Sequence, residues 1–323
     1  MLLTILVIPA HADSRFEGKT LDEIMAEFME SKNLNINNFK MGYYNTATGE
    51  TWYFEPDSFW DGASLYKLPL NMALAEHVQQ GFITWDYPIM GITLGRAQQL
   101  SLVDSNNEYS QAMQDVFGEY ENYRRAIATY SGLDLEAQDE NFFRYNLFSP
   151  RYMINVLKTL YDEPERFPNV IEYMKRARPG QFFRRNIYEY EVAQKYGYRG
   201  SLLHTAGIVY TPTPFLMVVM TNGAPMSEQL MGEVSRLMCD YTLYVESTLP
   251  PPSPSSTPTP EPTPTPTVTP EAVVTPAPTA TSAPTPAVPV QAEPEAPTER
   301  FAVLGGLFFA AAVCGVLLRK KKK

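Results

Sequence analysis

The 323-residue chain is poor in the side chains that most often hold metals or act as bases, with only 2 cysteines and 3 histidines. Cys239 lies in a predicted helix and Cys314 in the terminal apolar run, so no intramolecular disulfide is expected. No spacing of His, Cys and Asp is typical of a metal site, and no glycine-rich strand-to-helix loop is typical of phosphate binding. We therefore predict neither a metal nor a cofactor.

Positive charge is also scarce, because 26 Lys and Arg stand against 36 Asp and Glu, a net charge of −10. Residues 319–323 alone supply five of those cations. An acidic globular part argues against nucleic acid as a partner. The basic run 175–178, with Arg184 and Arg185, is interpreted as a solvated face, and docking of an anionic polymer is the alternative.

Composition divides the chain into five segments. Residues 1–12 are interpreted as a signal peptide, truncated because it is short and lacks a basic start. Residues 13–248 form a globular domain, and residues 249–300, which hold 17 of the 28 prolines, form a disordered linker. The 18 uncharged residues 301–318 predict a transmembrane helix, and residues 319–323 a basic cytoplasmic tail. We expect a single-pass protein of the cell membrane, with its catalytic domain on the extracellular side, in a cell with a Gram-positive-type envelope.

Hydrophobic periodicity places strands at both ends of the globular domain and helices between them. Thr20 opens a helix with a capping-box pattern, and residues 39–44 and 51–54 predict a hairpin with Gly49 at its turn. Residues 82–180 are largely helical. Later strands are predicted at 188–198, 207–211 and 215–221, before a final helix from Ser227 to about Tyr244. The order indicates an α+β fold, an antiparallel sheet flanked by helices with a helical subdomain.

The strongest candidate for a nucleophile is Ser64, in the stretch 61–70. Ser64 and Lys67 stand three apart at the start of an apolar helix, so the Lys67 amine is expected to reach the Ser64 hydroxyl. A serine reacts once a base removes its proton, and a lysine kept neutral by burial or by a second cation can be that base. A capping serine followed by a surface lysine is the alternative.

Two other polar clusters are candidate partners of Ser64. The first is Ser105-Asn106-Asn107, between helical segments, and the second is Lys195-Tyr196-Gly197 within a strand. Alone, each has an ordinary interpretation, an N-cap loop and a solvated edge strand. A glycine in a strand can also allow the backbone to approach a ligand closely.

In this order, Ser-x-x-Lys, Ser-x-Asn and Lys-x-Gly resemble the penicillin-recognising serine hydrolases, the superfamily of class A β-lactamases and D-Ala-D-Ala peptidases. The resemblance extends from about Phe39 to Asn222, and residues 206–211 look like the strand that follows Lys-Thr-Gly in class A enzymes. It implies a five-stranded antiparallel sheet with a helical subdomain, and an active site between them.

The resemblance also implies catalytic roles. Ser64 would be acylated, and Lys67 would accept its proton. Ser105 would pass the proton towards the leaving nitrogen, and Lys195 would supply a fixed positive charge. Because like charges disfavour each other, Lys195 should also lower the pKa of Lys67.

Substrate binding would fall to Asn107, which holds the substrate amide, and to the strand residues Tyr196, Gly197 and Tyr198. The backbone N–H groups of Ser64 and Tyr198 would form the oxyanion hole. The implied activity is that of a class A β-lactamase-like serine hydrolase, with β-lactam or cell-wall peptide as substrate. A D-Ala-D-Ala carboxypeptidase is one alternative, and a β-lactam or peptidoglycan sensor without turnover is another.

The sequence departs from the family pattern at two places. Tyr196 stands where the family has Thr or Ser, so a small hydroxyl that helps to bind the substrate carboxylate is missing. The Glu-x-x-Leu-Asn pattern of the deacylating base is also missing. Four acids in the corresponding loop are interpreted as solvated: Asp134, Glu136, Asp139 and Glu140.

A serine-histidine triad is the competing interpretation. Gly62-Ala63-Ser64 approaches a nucleophile elbow, but Tyr66 stands where the second glycine belongs. His77 is predicted far along the Ser64 helix. His204 is predicted in a turn between two strands, as a surface or rim residue.

Overall fold

The structure, a computed structural model, describes residues 14–249. Its helices are α1 (Leu21–Ser31), α2 (Lys67–Gln79), α3 (Leu94–Val103), α4 (Asn107–Gln114), α5 (Tyr120–Ala128), α6 (Glu140–Arg144), α7 (Pro150–Asp162), α8 (Val170–Arg176) and α9 (Ser227–Thr248). Its strands are β1 (Phe39–Asn45), β2 (Thr51–Phe54), β3 (Trp60–Asp61), β4 (Pro88–Ile89), β5 (Ile92–Thr93), β6 (Leu147–Phe148), β7 (Glu191–Arg199), β8 (Leu202–Tyr210) and β9 (Phe215–Asn222).

The segments predicted for the chain ends lie outside these residues. This applies to the signal peptide (1–12), the transmembrane helix (301–318), the tail (319–323) and all of the linker except Leu249. Within residues 14–249, no helix combines the length and the apolar character that a bilayer span needs.

Five strands form one sheet in the order β2-β1-β9-β8-β7, with every neighbouring pair antiparallel. Alternate residues of each strand face opposite sides of the sheet. Met217 and Val219 of β9 join the core beneath α1 and α9, whereas Leu216 and Val218 join the core shared with α2 and α7. The predicted α+β architecture is confirmed, and β7 lies at the edge of the sheet, beside the helical part.

Local sequence signals set several boundaries as predicted. The Thr20 side chain accepts from the N–H of Glu23, and the Glu23 side chain accepts from the N–H of Thr20, so the capping box of α1 is complete. Gly49 has φ 74° in the β1–β2 turn, a conformation that favours glycine. Ser149 caps α7, with Pro150 at its first position.

The second hairpin corrects the sequence analysis. Strand β8 begins at Leu202, not at Gly207, and it is joined to β7 by Gly200 and Ser201. His204 therefore lies inside a strand and is fully buried, not at the surface or rim. Burial is tolerated because both ring nitrogens have hydrogen-bond partners, the Asp61 carbonyl and the Thr221 N–H.

Candidate active site

Ser64 lies in a 3₁₀ turn, Ala63–Tyr66, and not at the start of an α-helix as predicted, because α2 begins only at Lys67. Ala63 has φ 47°, a strained conformation for a residue with a side chain. Contacts from two sides hold it. The Asp61 carboxylate accepts from the Ala63 N–H (2.8 Å), and Asn146 Nδ2 donates to the Ala63 carbonyl (2.8 Å).

Lys67 is fully buried at the first position of α2. Its Nζ donates to the carbonyl of Ser105, to Ser105 Oγ (3.2 Å) and to Asn107 Oδ1 (2.7 Å). These three acceptors use all the donors of an ammonium group. Within residues 14–249, no hydrogen bond joins Lys67 to Ser64 Oγ, so the direct contact expected from their spacing is replaced by contacts to the Ser105–Asn107 loop.

Lys195 reaches the Ser105 hydroxyl from β7. It is also fully buried, and its Nζ lies 3.0 Å from Ser105 Oγ and 2.6 Å from the Tyr196 carbonyl. Ser105 itself has φ 56°, a second strained position in the site. Two amines thus converge on one hydroxyl. A hydroxyl has two lone pairs and one proton, so with both amines donating, the Ser105 O–H is left to point elsewhere.

Burial without a counter-charge sets the electrostatics of the pair. Neither amine forms an ion pair with any carboxylate in the described part of the chain. Burial lowers the pKa of Lys67 to about 7. Burial, followed by repulsion from Lys67 and Arg178, holds the pKa of Lys195 well below its usual value. Of the two causes expected from the sequence for a lower pKa of Lys67, burial and the charge of Lys195, burial is the one that acts on Lys67.

A buried hydrogen-bond chain ties the Ser105–Asn107 loop to α2. Asn71 Nδ2 donates to the Lys67 carbonyl (2.6 Å) and to Ser101 Oγ (3.0 Å). Ser110 Oγ donates to the Asn106 carbonyl and lies 2.9 Å from Ser101 Oγ. This chain fixes the acceptors around Lys67. The exposed Asn107 keeps its Nδ2 without a partner among the described residues, free to donate to a ligand.

Gly197 brings β7 against the nucleophile turn. A Cβ atom at this position would lie 2.7 Å from the Ser64 backbone nitrogen and 3.1 Å from the Gly62 carbonyl oxygen. Only glycine permits this approach. The Tyr198 N–H follows directly in the chain, and the Tyr198 ring is 70% exposed. The two N–H groups expected to form an oxyanion hole therefore belong to backbone segments in contact.

Tyr196 is held away from solvent on the other face of β7. Its ring stacks on Phe182 with centroids 4.9 Å apart, and its hydroxyl donates to the Asp104 carbonyl (3.3 Å). Arg178 Nε donates to the same hydroxyl (3.0 Å). A cavity of about 590 Å³ is lined in part by Tyr196, Phe182, Arg178 and Tyr198. Tyr196 thus stands where the family has a Thr or Ser hydroxyl, and the guanidinium group of Arg178 lies against it.

The four loop acids are exposed, as expected. Asp134 and Asp139 accept from nearby backbone N–H groups, and Glu140 pairs with Arg144. Asp134, Glu136, Asp139 and Glu140 are all solvent-facing. None of them contacts Ser64, Lys67 or Ser105, so no deacylating carboxylate is apparent among residues 134–140.

The two histidines of the described residues, His77 and His204, do not form a triad with Ser64. The ring of His77 contacts Phe82 and Phe117, with centroids 5.5 and 4.7 Å away. His204 binds the Asp61 carbonyl and the Thr221 N–H. Neither of these rings is hydrogen-bonded to the Ser64 hydroxyl, so residues 14–249 give no support to a serine-histidine triad.

This geometry agrees with the comparisons to known proteins. A model of the β-lactamase enzyme family matches residues 92–242. An ancestral class A β-lactamase is 17% identical, covers 69% of this chain and 100% of its own, and superposes with a TM-score of 0.59. The fold is that of the penicillin-recognising serine hydrolases. The resemblance seen in the sequence is confirmed.

Two further structures share this hydrolase fold. PBP-A is 15% identical, with 71% of this chain and 97% of its own covered at a TM-score of 0.59. A variant of the last common ancestor of Gram-negative class A β-lactamases, bound to the transition-state analogue 5(6)-nitrobenzotriazole, is 18% identical and covers 69% of this chain and 98% of its own, at a TM-score of 0.58. Among curated proteins, none matches this chain.

Sequence reasoning missed several residues around the site. The roles of Asp61, Asn146 and His204 depend on backbone carbonyl and N–H groups, which carry no sequence signal. Arg178 was interpreted as part of a solvated basic face, and its guanidinium is indeed exposed, but it also contacts Tyr196. The positive φ at Ala63 likewise has no signature in the sequence, because glycine is absent there.

Proposed function

We propose that this chain is a serine acyl-hydrolase that forms an acyl-enzyme at Ser64 with a β-lactam or a cell-wall peptide. One observation carries the proposal: two fully buried lysines, with no carboxylate partner among residues 14–249, converge on Ser105 Oγ, beside the Ser64 turn. Unpaired buried amines destabilise a fold, so such clusters are typical of sites where a shifted pKa serves chemistry.

The proposed proton path uses the contact between Lys67 and Ser105, and it requires Lys67 Nζ to turn towards Ser64 Oγ in the first step. Neutral Lys67 takes the Ser64 proton as Ser64 Oγ bonds to the substrate carbonyl carbon. The resulting Lys67 ammonium donates to Ser105 Oγ, and Ser105 gives its own proton to the leaving nitrogen as the carbon–nitrogen bond breaks. The Ser64 and Tyr198 N–H groups stabilise the oxyanion, and Asn107 holds the substrate amide.

A D-Ala-D-Ala-type peptidase is the second candidate, and the exposure of the four loop acids favours it. Without a carboxylate to activate water, an acyl group on Ser64 should leave slowly. A sensor that is acylated once would show the same persistence. Turnover, not acylation, therefore separates a β-lactamase from both alternatives.

Labelling with a fluorescent penicillin tests the proposal. We expect the full-length protein to be labelled at Ser64, with an adduct that outlasts many acylation times, and the Ser64→Ala variant to remain unlabelled. Rapid loss of label with release of hydrolysed penicillin would favour a β-lactamase over a peptidase. Absence of label on wild type from pH 6 to 9 would contradict the proposal.

Arg178 is proposed to bind the carboxylate of the substrate, in place of the missing Thr or Ser hydroxyl. Its guanidinium contacts the Tyr196 hydroxyl and has no carboxylate partner in the described part of the chain. Arg178→Ala should raise the penicillin concentration for half-maximal labelling about tenfold, the worth of one charged hydrogen bond. Arg176→Ala, on the same basic run, is the matched control. Equal half-maximal concentrations in both variants would contradict this role.

For the whole protein, we propose tethering to the outer face of a cell membrane, supported by the apolar run 301–318 and the basic residues 319–323.

A further inference from the structure

The nucleophile turn is anchored to the sheet by a histidine that the proposed chemistry does not use. His204 lies opposite Gly197 in the β7–β8 register. Directly paired residues face the same side of a sheet, so the His204 ring lies on the side where Gly197 meets Ser64. Its Nε2 is 2.9 Å from the Asp61 carbonyl oxygen, three residues before Ser64.

The two partners of the ring fix its protonation state. Nδ1 accepts the Thr221 backbone N–H (3.2 Å), so it carries no proton. Nε2 must then carry the proton and donate it to the Asp61 carbonyl. A doubly protonated ring would direct its Nδ1–H at the Thr221 N–H, and one of the two anchors would break.

The surroundings of the ring keep it neutral and in place. Trp60 stacks on it, with centroids 6.4 Å apart and planes 20° from parallel. Lys40 Nζ lies 3.9 Å from the Trp60 ring centroid and donates to Ser58 Oγ (2.6 Å). The charged groups that face His204 are Lys40 of β1 and Asp61 of β3, whose carboxylate is itself paired with Arg199 of β7. Burial is the main cause that lowers the pKa of His204, and Lys40 adds to it against the opposing effect of Asp61.

We propose that His204 is a positioning residue, whose neutral ring holds the strained 61–64 turn so that Ser64 stays against Gly197. The inference rests on the proposed acylation of Ser64. Removing the anchor lets the turn relax from the positive φ of Ala63 and separates the Ser64 N–H from β7. A displacement of the Ser64 turn by about 1 Å can reduce the rate of the reaction on the order of 100-fold.

The test compares His204→Leu, which removes the donor, with His204→Gln, whose amide can still donate to the Asp61 carbonyl and does not titrate. We expect His204→Leu to slow acylation by fluorescent penicillin 10- to 100-fold with an unchanged half-saturating concentration. The reason is that a positioning defect slows the formation of the covalent bond to Ser64 and leaves the preceding binding step unaffected. His204→Gln should recover most of that rate. At acid pH, the acylation rate of His204→Gln should fall with the slope of one protonation, that of Lys67. The rate of wild type should fall with the slope of two protonations, because it needs both Lys67 and His204 in their neutral forms.

A second measurement does not depend on any substrate. Hydrogen exchange of the segment 61–66 should accelerate at least tenfold in His204→Leu and stay unchanged in His77→Gln, the matched histidine control in α2. Unchanged exchange in His204→Leu would overturn the inference, as would ¹⁵N spectra of wild type that place the ring proton on Nδ1. Failure of wild type to be labelled would instead overturn the proposed acylation, and the exchange result would still decide the anchoring role.

Discussion

Replacing Lys67 by methionine is expected to slow the acylation of Ser64 by about 10²- to 10⁴-fold, the usual contribution of a general base. The Lys67 amine is buried beside the Ser64 turn and has a pKa of about 7. Methionine matches its length without a proton acceptor. The measurement is the second-order rate of labelling by a fluorescent penicillin at pH 8.

The thermal stability of the Lys67→Met variant should not decrease along with its acylation rate. Methionine removes a buried amine that has no carboxylate partner, and replacing such a charge by an apolar side chain is often neutral or stabilising. We expect a thermal midpoint no lower than that of wild type. A variant that loses both labelling and stability would indicate that Lys67 holds the fold, not that it acts as a base.

The charge-preserving variant Lys67→Arg gives the sharper distinction. Arginine can donate to the Ser105 carbonyl and to Asn107 but stays protonated, so it cannot accept the Ser64 proton. If Lys67 acts only as a positive charge, the arginine variant keeps its activity; if it is the base, that variant is as slow as Lys67→Met. In wild type, between the lowered pKa of His204 and about pH 7, acylation should rise tenfold per pH unit and then level off above pH 7, because in that range only Lys67 titrates and only its neutral form reacts.

The sequence predicted those elements whose signals are local. The capping box at Thr20, Pro150 after Ser149 and Gly49 in its turn each satisfy a requirement of the neighbouring backbone, and each boundary is confirmed. The predicted start of strand β8, Gly207, lies five residues after its observed start at Leu202, because a buried histidine interrupts the apolar pattern of the strand. What allows that histidine to be buried is a pair of backbone groups distant in the chain.

The same limit applies to the candidate site. Ser-x-x-Lys, Ser-x-Asn and Lys-x-Gly were sufficient to name Ser64, Lys67, Ser105 and Lys195, and the structure brings the last three together around one hydroxyl. Their roles remain predictions. The degree of burial cannot be derived from the sequence, so burial and repulsion from Lys195 both stood as causes of a lower pKa of Lys67, and the structure indicates burial.

Gly197→Ala is expected to slow acylation by about 10²- to 10³-fold, the usual effect of losing one oxyanion-hole donor. The new methyl group would lie 2.7 Å from the Ser64 nitrogen, 3.1 Å from the Gly62 carbonyl oxygen and 3.2 Å from the Ala63 Cβ atom. The first two are backbone atoms, which cannot turn aside as a side chain can. Strand β7 and the Ser64 turn must therefore separate, and the two N–H groups no longer point at one oxygen.

Two matched glycine variants separate this effect from general damage. Gly95→Ala lies in α3, where its new atom meets only the Trp85 carbonyl oxygen at 3.7 Å, so it should label at the wild-type rate. Gly207→Ala would set a methyl group 2.5 Å from the Ala193 carbonyl oxygen, so it should lower the thermal midpoint while the folded fraction still labels. Because Gly207 lies one strand inward from the edge, its clash disturbs the sheet without touching the Ser64 turn. If Gly197→Ala and Gly207→Ala lost labelling in proportion to their loss of stability, the contact between Gly197 and Ser64 would be structural, and the oxyanion hole would have to be sought elsewhere.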